Sequence, residues 1–217
     1  VLALRDAAKK VGDGDLSQSV DNKSTDEIGE LAVAFNKMVK KLNVEAAMEK
    51  IRNRTIAMQE SSEWEEVMHV FFKQIQHLGY NALAYRVTLV EEPAGKLHFW
   101  LYNPEKDQVK KYDEPVNKNG EQSAWSKTDD EFSKSGYREL NVSMDSKDPY
   151  ELRIINHFEA AFDSGSHDIA PYETLAVCSA HTGSGAVEII GNEELSVSDQ
   201  ELLVRLAEVI DQSHTRF

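Results

Sequence analysis

The sequence is poor in cysteine, with Cys178 as the only one among 217 residues. A single cysteine excludes an internal disulfide and a cysteine-rich metal site. The seven histidines show none of the spacings that metal sites use. No nucleophile paired with a base and no phosphate-binding glycine loop is visible. The sequence therefore predicts no catalytic residue, no metal and no cofactor.

Basic residues are also scarce, since 24 lysines and arginines face 38 aspartates and glutamates, for a formal net charge of −14. This shortage argues against a nucleic-acid partner, because phosphate binding needs clustered positive charge. No run approaches the roughly 18–20 apolar residues of a membrane span, and no signal peptide is visible. These absences predict a cytoplasmic fragment. Because helical patterns already run through Val1 and reach the last residues, we expect a piece of a longer protein.

Apolar side chains at heptad spacing mark two predicted helices, over residues 1–11 and 26–42. The stripes are Val1, Leu4, Ala8 and Val11 in the first, and Ile28, Leu31, Phe35, Met38 and Leu42 in the second. Neither short helix can bury so narrow a stripe alone, so both need partner helices. A helical pattern continues over 43–58 in a different register, because Val44 follows Leu42 by two residues where a heptad requires three.

A polar segment, GDGDLSQSVDNKSTDEIG at 12–29, separates the first two helices and carries two isolated apolar residues, Leu16 and Val20. Its GDGDLSQSV and the following DEIGELAVAFNKM resemble the connector and second helix of the HAMP domain, the signal-relay module of bacterial membrane sensors. The resemblance implies that Leu16 and Val20 anchor the connector. It also implies that Asp26, Glu27 and Gly29 form the motif that opens the second helix.

The HAMP resemblance further implies a parallel homodimer in which each chain contributes two helices to a four-helix bundle. A segment as long as 12–25 suits two parallel helices, because it can travel back along the full length of the first helix. The predicted dimer core consists of Leu4, Val11, Ile28, Leu31, Phe35, Met38, Leu42, Met48 and Ile51. The sequence predicts the chain itself as its partner, with membrane contact only through segments upstream of Val1.

Beyond residue 60 helical and extended patterns follow each other. Helices are predicted over 62–78, 123–134, 148–162 and 196–212, and strands over 81–90, 96–103, 107–115, 137–143, 172–180 and 185–191. RNRTIAMQESSEWEEVMHVFFKQIQHLGY and LLVRLAEVIDQSHTRF are similar to the first and last helices of GAF-type sensory domains. The predicted fold class is α plus α+β: a HAMP bundle over 1–42, a helical linker over 43–59, and a GAF-like domain with an antiparallel sheet flanked by helices over 60–217.

Polar and aromatic side chains on the predicted strands form a candidate pocket for an unknown small molecule. Its predicted members are Tyr85, Arg86, His98, Trp100 and Trp125. In strand 96–103, alternation separates His98, Trp100 and Tyr102 from an ordinary apolar face. That polar-aromatic face suits a ligand cavity, or equally an exposed or helix-covered side of the sheet.

Together these patterns predict a non-catalytic relay and sensory fragment of a bacterial inner-membrane receptor. The resemblances favour a sensor histidine kinase of a two-component system. The alternatives are the regulatory region of a nucleotide or diguanylate cyclase, and a coupler that binds no ligand.

Overall fold

The computed structural model describes residues 2–21, 24, 26–80, 82–91, 95–115, 136–162 and 173–214. The chain forms two compact units, Val1–Lys50 and Ile51–Phe217. The helices of the described residues are α1 (Leu2–Gly12), α2 (Glu27–Ala57), α3 (Trp64–His77), α4 (Pro149–Phe162) and α5 (Val197–His214). The strands are β1 (Ala84–Glu91), β2 (Lys96–Asn103), β3 (Gln108–Pro115), β4 (Gly136–Ser143), β5 (Thr174–Thr182) and β6 (Gly185–Gly191).

The helices and strands predicted from the sequence are confirmed wherever the structure describes them. The segments predicted over 26–42 and 43–58 form one continuous helix of 31 residues, α2. No proline or glycine occurs between Glu30 and Ala57, so nothing in the backbone interrupts the helix at the change of register. The helix predicted over 123–134 lies outside the described residues. Among the described helices, none combines the length and apolar character needed to cross a membrane.

The second unit is built around a six-stranded antiparallel sheet with the order β3-β2-β1-β6-β5-β4. The two central strands, β1 and β6, are buried along nearly their whole length. Strand β3 lies at one edge and alternates between exposed and half-buried residues. This gradient is expected of a sheet whose centre is covered on both faces, since only edge strands retain contact with solvent.

One face of the sheet is covered by α3 and α5. The ring of Phe72 in α3 stacks on Tyr102, with centroids 5.5 Å apart and planes inclined by 10°. Trp64, the first residue of α3, has ring centroids 6.2 Å from Trp100 and 6.0 Å from His214 at the end of α5. Trp64 therefore joins α3, β2 and α5 on the same side of the sheet.

The opposite face is covered by α4. Its Ile154, Ile155 and Phe158 are buried in one apolar cluster with residues of four strands. Those strand residues are Ala84, Val142, Leu175, Val177 and Ile190. A neighbouring cluster on β2 consists of Leu97, Phe99 and Leu101. The two helical layers thus enclose the sheet and give this unit a core on each face.

Gly185 is required by the close approach of two strands rather than by an unusual backbone conformation. A Cβ at this position would lie 1.9 Å from the carbonyl oxygen of Thr88 in the adjacent strand. That oxygen belongs to the backbone of a central strand, so no side-chain rotation can relieve the overlap.

We predict that Gly185→Ala lowers the free energy of unfolding by roughly 1–3 kcal/mol or more, because β1 and β6 must separate. Gly183→Ala in the adjoining turn is the matched control, since no atom lies within 4 Å of its added Cβ. Chemical denaturation of the full chain measures both. Equal stability of the two variants would contradict this account of Gly185.

Candidate functional site

The segment that follows α1, described over residues 13–21, runs back along α2. The side-chain amide of Asn43 donates to the carbonyl oxygen of Leu16 at 2.8 Å. Four residues later along the connector, the backbone of Val20 meets Asn36, which lies one heptad earlier on α2. The connector is therefore antiparallel to α2. Because it starts at the end of α1 and returns to the start of α2, the two helices run in the same direction.

The contact between Val20 and Asn36 is a reciprocal pair of hydrogen bonds. The Val20 N–H donates to Asn36 Oδ1 at 2.9 Å, and Asn36 Nδ2 donates to the Val20 carbonyl oxygen at 2.8 Å. One side-chain amide thus satisfies both backbone groups of one connector residue. It holds the connector to α2 in the way that a neighbouring strand would.

Apolar packing reinforces this polar attachment. Ala7 of α1 and Phe35 and Val39 of α2 form a buried cluster, and Val20 packs against it. Leu4 and Val11 of α1 are the other partly buried members. Leu16, the second predicted anchor, is half-buried. Val20 therefore contributes its side chain to the helix pair and its backbone to Asn36.

Asp26 stabilises the beginning of α2. Its Oδ1 accepts the N–H groups of Ile28 at 3.0 Å and Gly29 at 3.1 Å, two donors that have no partner within the helix. Hydrogen bonds from the Ser24 side chain and the Gly29 backbone hold the pKa of Asp26 below its ordinary value. Glu27 lies exposed in the first turn and Gly29 is buried. The motif predicted to open the helix is thus built around a capping carboxylate.

The predicted dimer-core residues fall into three groups within the single chain. The first is exposed along one side of α2 and consists of Ile28 (39%), Leu31 (52%), Met38 (47%) and Leu42 (41%). The second, Leu4, Val11 and Phe35, packs between α1 and α2. The third, Met48 and Ile51, is already buried, with 1% and 0% exposed. The exposed group is named the α2 stripe below.

The end of α2 is joined to α3 by charged side chains. Arg54 Nη2 lies 3.0 Å from Glu63 Oε2 and 2.5 Å from Glu66 Oε2. The other oxygen of Glu63 accepts the N–H groups of Gln59 and Glu60, at 3.0 and 3.2 Å. Glu63 therefore fixes the turn after α2 to both the preceding helix and the following one, and these bonds hold its pKa below the ordinary value.

The four predicted pocket residues that the structure describes do not lie on one face of the sheet. Tyr85 and Arg86 are consecutive in β1, so their side chains lie on opposite faces of the sheet. Trp100 shares the face of Tyr85, beneath α3, and His98 lies beside it with ring centroids 5.8 Å apart. Trp125 lies outside the described residues. The sequence left open whether the face of His98, Trp100 and Tyr102 forms a ligand cavity or is an exposed or helix-covered side of the sheet. In the structure, helix α3 covers Trp100 and Tyr102.

Arg86 instead belongs to a buried polar chain on the α4 face. Its guanidinium pairs with both carboxylate oxygens of Glu188 on β6, and Nη2 lies 2.7 Å from Oε1. Ser179 of β5 donates to the same Oε1 at 3.2 Å. On the other side, Arg86 Nη1 lies 3.2 Å from His157 Nδ1, and His157 Nε2 lies 3.0 Å from Glu114 Oε1. The chain thus links β5, β6, β1, α4 and β3.

The partners of His157 define its protonation state. Arginine only donates hydrogen bonds and a carboxylate only accepts them, so Nδ1 must accept from Arg86 and Nε2 must donate to Glu114. This is the neutral imidazole, and burial keeps the pKa of His157 below its ordinary value against the opposing hydrogen bond to Glu114. Burial alone would raise the pKa of Glu188, but the Arg86 guanidinium, together with His181 and the Ser179 hydroxyl, holds that pKa below the ordinary value.

Sequence reasoning missed the residues that hold both sites together, namely Asn36, Asn43, Glu188 and His157. The asparagines carried a signal, because two of them one heptad apart inside a helix are unfavourable there unless their amides have another use. Glu188 also carried a signal, since it lies in an otherwise apolar strand. Within the described residues, no group of three or more His, Cys, Asp and Glu side chains could hold a metal ion.

Comparison with known proteins identifies the first unit. The family model described as the HAMP domain matches residues 1–44, which include α1, the connector and the first half of α2. No curated protein matches the chain.

We predict that Arg86→Met lowers the free energy of unfolding by about 3–5 kcal/mol at pH 7, because the Glu188 carboxylate stays buried without its cation. The double variant Arg86→Met/Glu188→Gln, which removes both charges, should recover most of this loss. Denaturation of the full chain and both variants measures the difference. A double variant no more stable than the single one would contradict the role of the ion pair.

The contribution of the Arg86–Glu188 pair to the free energy of unfolding should change with pH in a definite direction. In the parent, the depressed pKa of Glu188 contributes stability above the unfolded value of about 4.3, and this is lost as the pH falls through the folded pKa. In Arg86→Met, burial raises the pKa of Glu188, so acidification relieves the penalty instead. The stability gap between parent and Arg86→Met should therefore narrow between pH 7 and pH 4.

Proposed function

Because residues 1–44 are a HAMP domain, we propose that this chain is a non-catalytic relay and sensory region of a transmembrane receptor, and that it works as a parallel homodimer. The α2 stripe carries the proposal. Ile28, Leu31, Met38 and Leu42 follow one heptad seam, and each exposes 39–52% of its surface in the single chain. Four large apolar side chains aligned at this spacing are typical of a surface that a second helix covers.

The proposed seam ends at Leu42. Continuing the heptad beyond it places Glu45, Glu49 and Arg52 at the contact positions. In a parallel homodimer identical residues face each other, so these charges would repel their copies. Met48 and Ile51 are buried within their own chain, and we therefore leave them out of the proposed seam. The two α2 helices pair over 28–42 and continue as separate helices beyond it.

The second unit supports a finer proposal, a GAF-like sensory domain of a sensor histidine kinase. The described residues form an antiparallel sheet flanked by helices, as the resemblance implies. Within this unit, the ion pair of Arg54 and Glu63 holds the end of α2 to the turn before α3. Such a fixed connection suits the transfer of motion from α2. The alternative is the regulatory region of a cyclase. Assays of autophosphorylation and of nucleotide cyclisation on the intact parent protein distinguish the two.

Ligand sensing by the second unit is a second candidate function. Its support is the buried chain of Arg86, Glu188 and His157, since buried ionisable groups with shifted pKa values concentrate at functional sites. A compound that binds the folded unit must raise its unfolding temperature. We therefore expect a polar metabolite in a thermal-shift screen to stabilise the parent but not Arg86→Met/Glu188→Gln. A screen without any such compound would favour a pure coupler.

We predict that Leu31→Lys converts the dimer into a monomer, because it places a charge in the seam. Val33→Lys is the matched control: Val33 is also 52% exposed, but it lies about 200° around α2 from Leu31. Sedimentation of the parent and both variants over a range of concentrations measures association. A parent that stays monomeric, or two variants that weaken the dimer equally, would contradict the proposed seam.

A further inference from the structure

Asn36 and Asn43 occupy a face of α2 that is distinct from the α2 stripe. They are one heptad apart and therefore lie above one another on the helix. Asn43 is about 100° around the helix from Leu42, the last residue of the stripe. One face of α2 thus binds the connector while another is open to a second chain.

The spacing of the two contacts matches the geometry of the two segments. From Asn36 to Asn43 the helix rises about 10.5 Å. Four connector residues from Leu16 to Val20 reach at most about 13–14 Å when fully extended. The connector therefore covers this height with about three quarters of its full reach, which leaves room for the turn at Leu16 and Ser17. Two attachments seven residues apart on α2 define both the height and the rotation of the helix against the connector.

The chemistry at Asn36 is specific to an asparagine amide. Its oxygen accepts from the Val20 N–H and its nitrogen donates to the Val20 carbonyl oxygen. An aspartate of nearly the same shape would keep the first bond but would oppose the carbonyl oxygen with a second oxygen. At Asn43 the amide nitrogen donates to Leu16, and an aspartate there would lose the donor.

These bonds are sensitive to rotation of α2. A side-chain atom about 6 Å from the helix axis moves roughly 2 Å when the helix turns by about 20°. The bonds measure 2.8–2.9 Å, and hydrogen bonds weaken beyond about 3.2 Å. A rotation of this size breaks the three bonds together unless the connector moves as well.

Asn43 also lies at the point where the pattern of α2 changes. Leu42 is the last residue of the exposed stripe, and Val44 is the first of the buried residues that continue through Met48 and Ile51. Because Val44 follows Leu42 by two residues, the two apolar faces differ by about 200° around the helix. The connector is therefore attached where one apolar face ends and the other begins.

We propose that Asn36 and Asn43 are positioning residues that fix the rotational phase of α2 against the connector, and so determine which face of α2 meets the second chain. The proposal rests on the homodimer proposed above. The asparagines are not residues of the seam. They act through the connector, which is tied to α1 by the packing of Val20 against the cluster of Ala7, Phe35 and Val39.

The experiment measures disulfide cross-linking between chains in a Cys178→Ser background. Single cysteines replace Leu42, in the seam, and Lys41, one residue away from it. Each is combined with Asn36→Asp, with Asn43→Asp, or with Asn53→Asp as the control. Asn53 is an exposed residue of the same helix, in the part of α2 beyond the connector. Circular dichroism verifies that each variant keeps its helical content.

In the parent and in Asn53→Asp, the cysteine at 42 should cross-link much faster than the cysteine at 41. Asn36→Asp and Asn43→Asp should reduce the ratio of the two rates on the order of tenfold, since each removes one hydrogen bond to the connector and sets a carboxylate oxygen against a carbonyl oxygen. Asn43→Gln keeps a donor and should restore part of the ratio, which a general loss of packing would not allow.

Two outcomes overturn the proposal, and they are distinguishable. An unchanged ratio in folded Asn36→Asp and Asn43→Asp, with strong cross-linking at 42, overturns the role of the asparagines and leaves the homodimer intact. Absence of cross-linking at both positions in the parent overturns the homodimer and this inference with it. A variant whose helical content falls is replaced by Asn43→Gln and Asn43→Ala, whose ratios should then differ.

Discussion

The attachment of the connector to α2 is the constraint on which the first unit depends. Two helices that run in the same direction cannot be joined by a short turn, so the chain must return along the full length of the pair. A long polar segment would not stay ordered without partners for its backbone. Asn36 supplies both partners at Val20 and Asn43 supplies one at Leu16, while Val20 adds apolar contact. The parallel helix pair exists because these side chains accommodate the returning chain.

The attachment of the connector leaves different faces of α2 buried in different parts of the helix. The helix itself is continuous from Glu27 to Ala57. Phe35 and Val39 are buried with Ala7 of α1, the α2 stripe is exposed, and Ile51 and Thr55 are buried further along the helix. At the end of the helix, Arg54 pairs with Glu63, which also accepts the N–H of Gln59 in the turn that follows.

Local sequence patterns predicted the helices and strands, but they predicted only some of the contacts between them. Heptad and alternating periods located the helices and strands, and the two-residue step from Leu42 to Val44 located the change of face on α2, because these signals lie within one segment. The pocket hypothesis combined Tyr85 with Arg86, which consecutive positions in a strand place on opposite faces. The pairing of Arg86 with Glu188, 102 residues apart in sequence, depends on which strands become neighbours. No local period carries that information.

The buried ion pair has a structural consequence that its energy alone does not explain. Replacing such a pair by apolar residues often costs no stability, so stability is a weak reason for its presence.

The register of the two central strands is a better reason for the presence of the pair. A strand slip of one residue is normally opposed because it moves apolar side chains into solvent. Strands β1 and β6 are buried on both faces, so their apolar residues would stay covered after a slip. Arg86 and Glu188 are direct partners in the observed register, and a slip of one residue would place them on opposite faces, each buried without its counter-charge. Burial of apolar residues alone does not select one register for β1 and β6. The ion pair does, because Arg86 and Glu188 are paired only in the observed alignment.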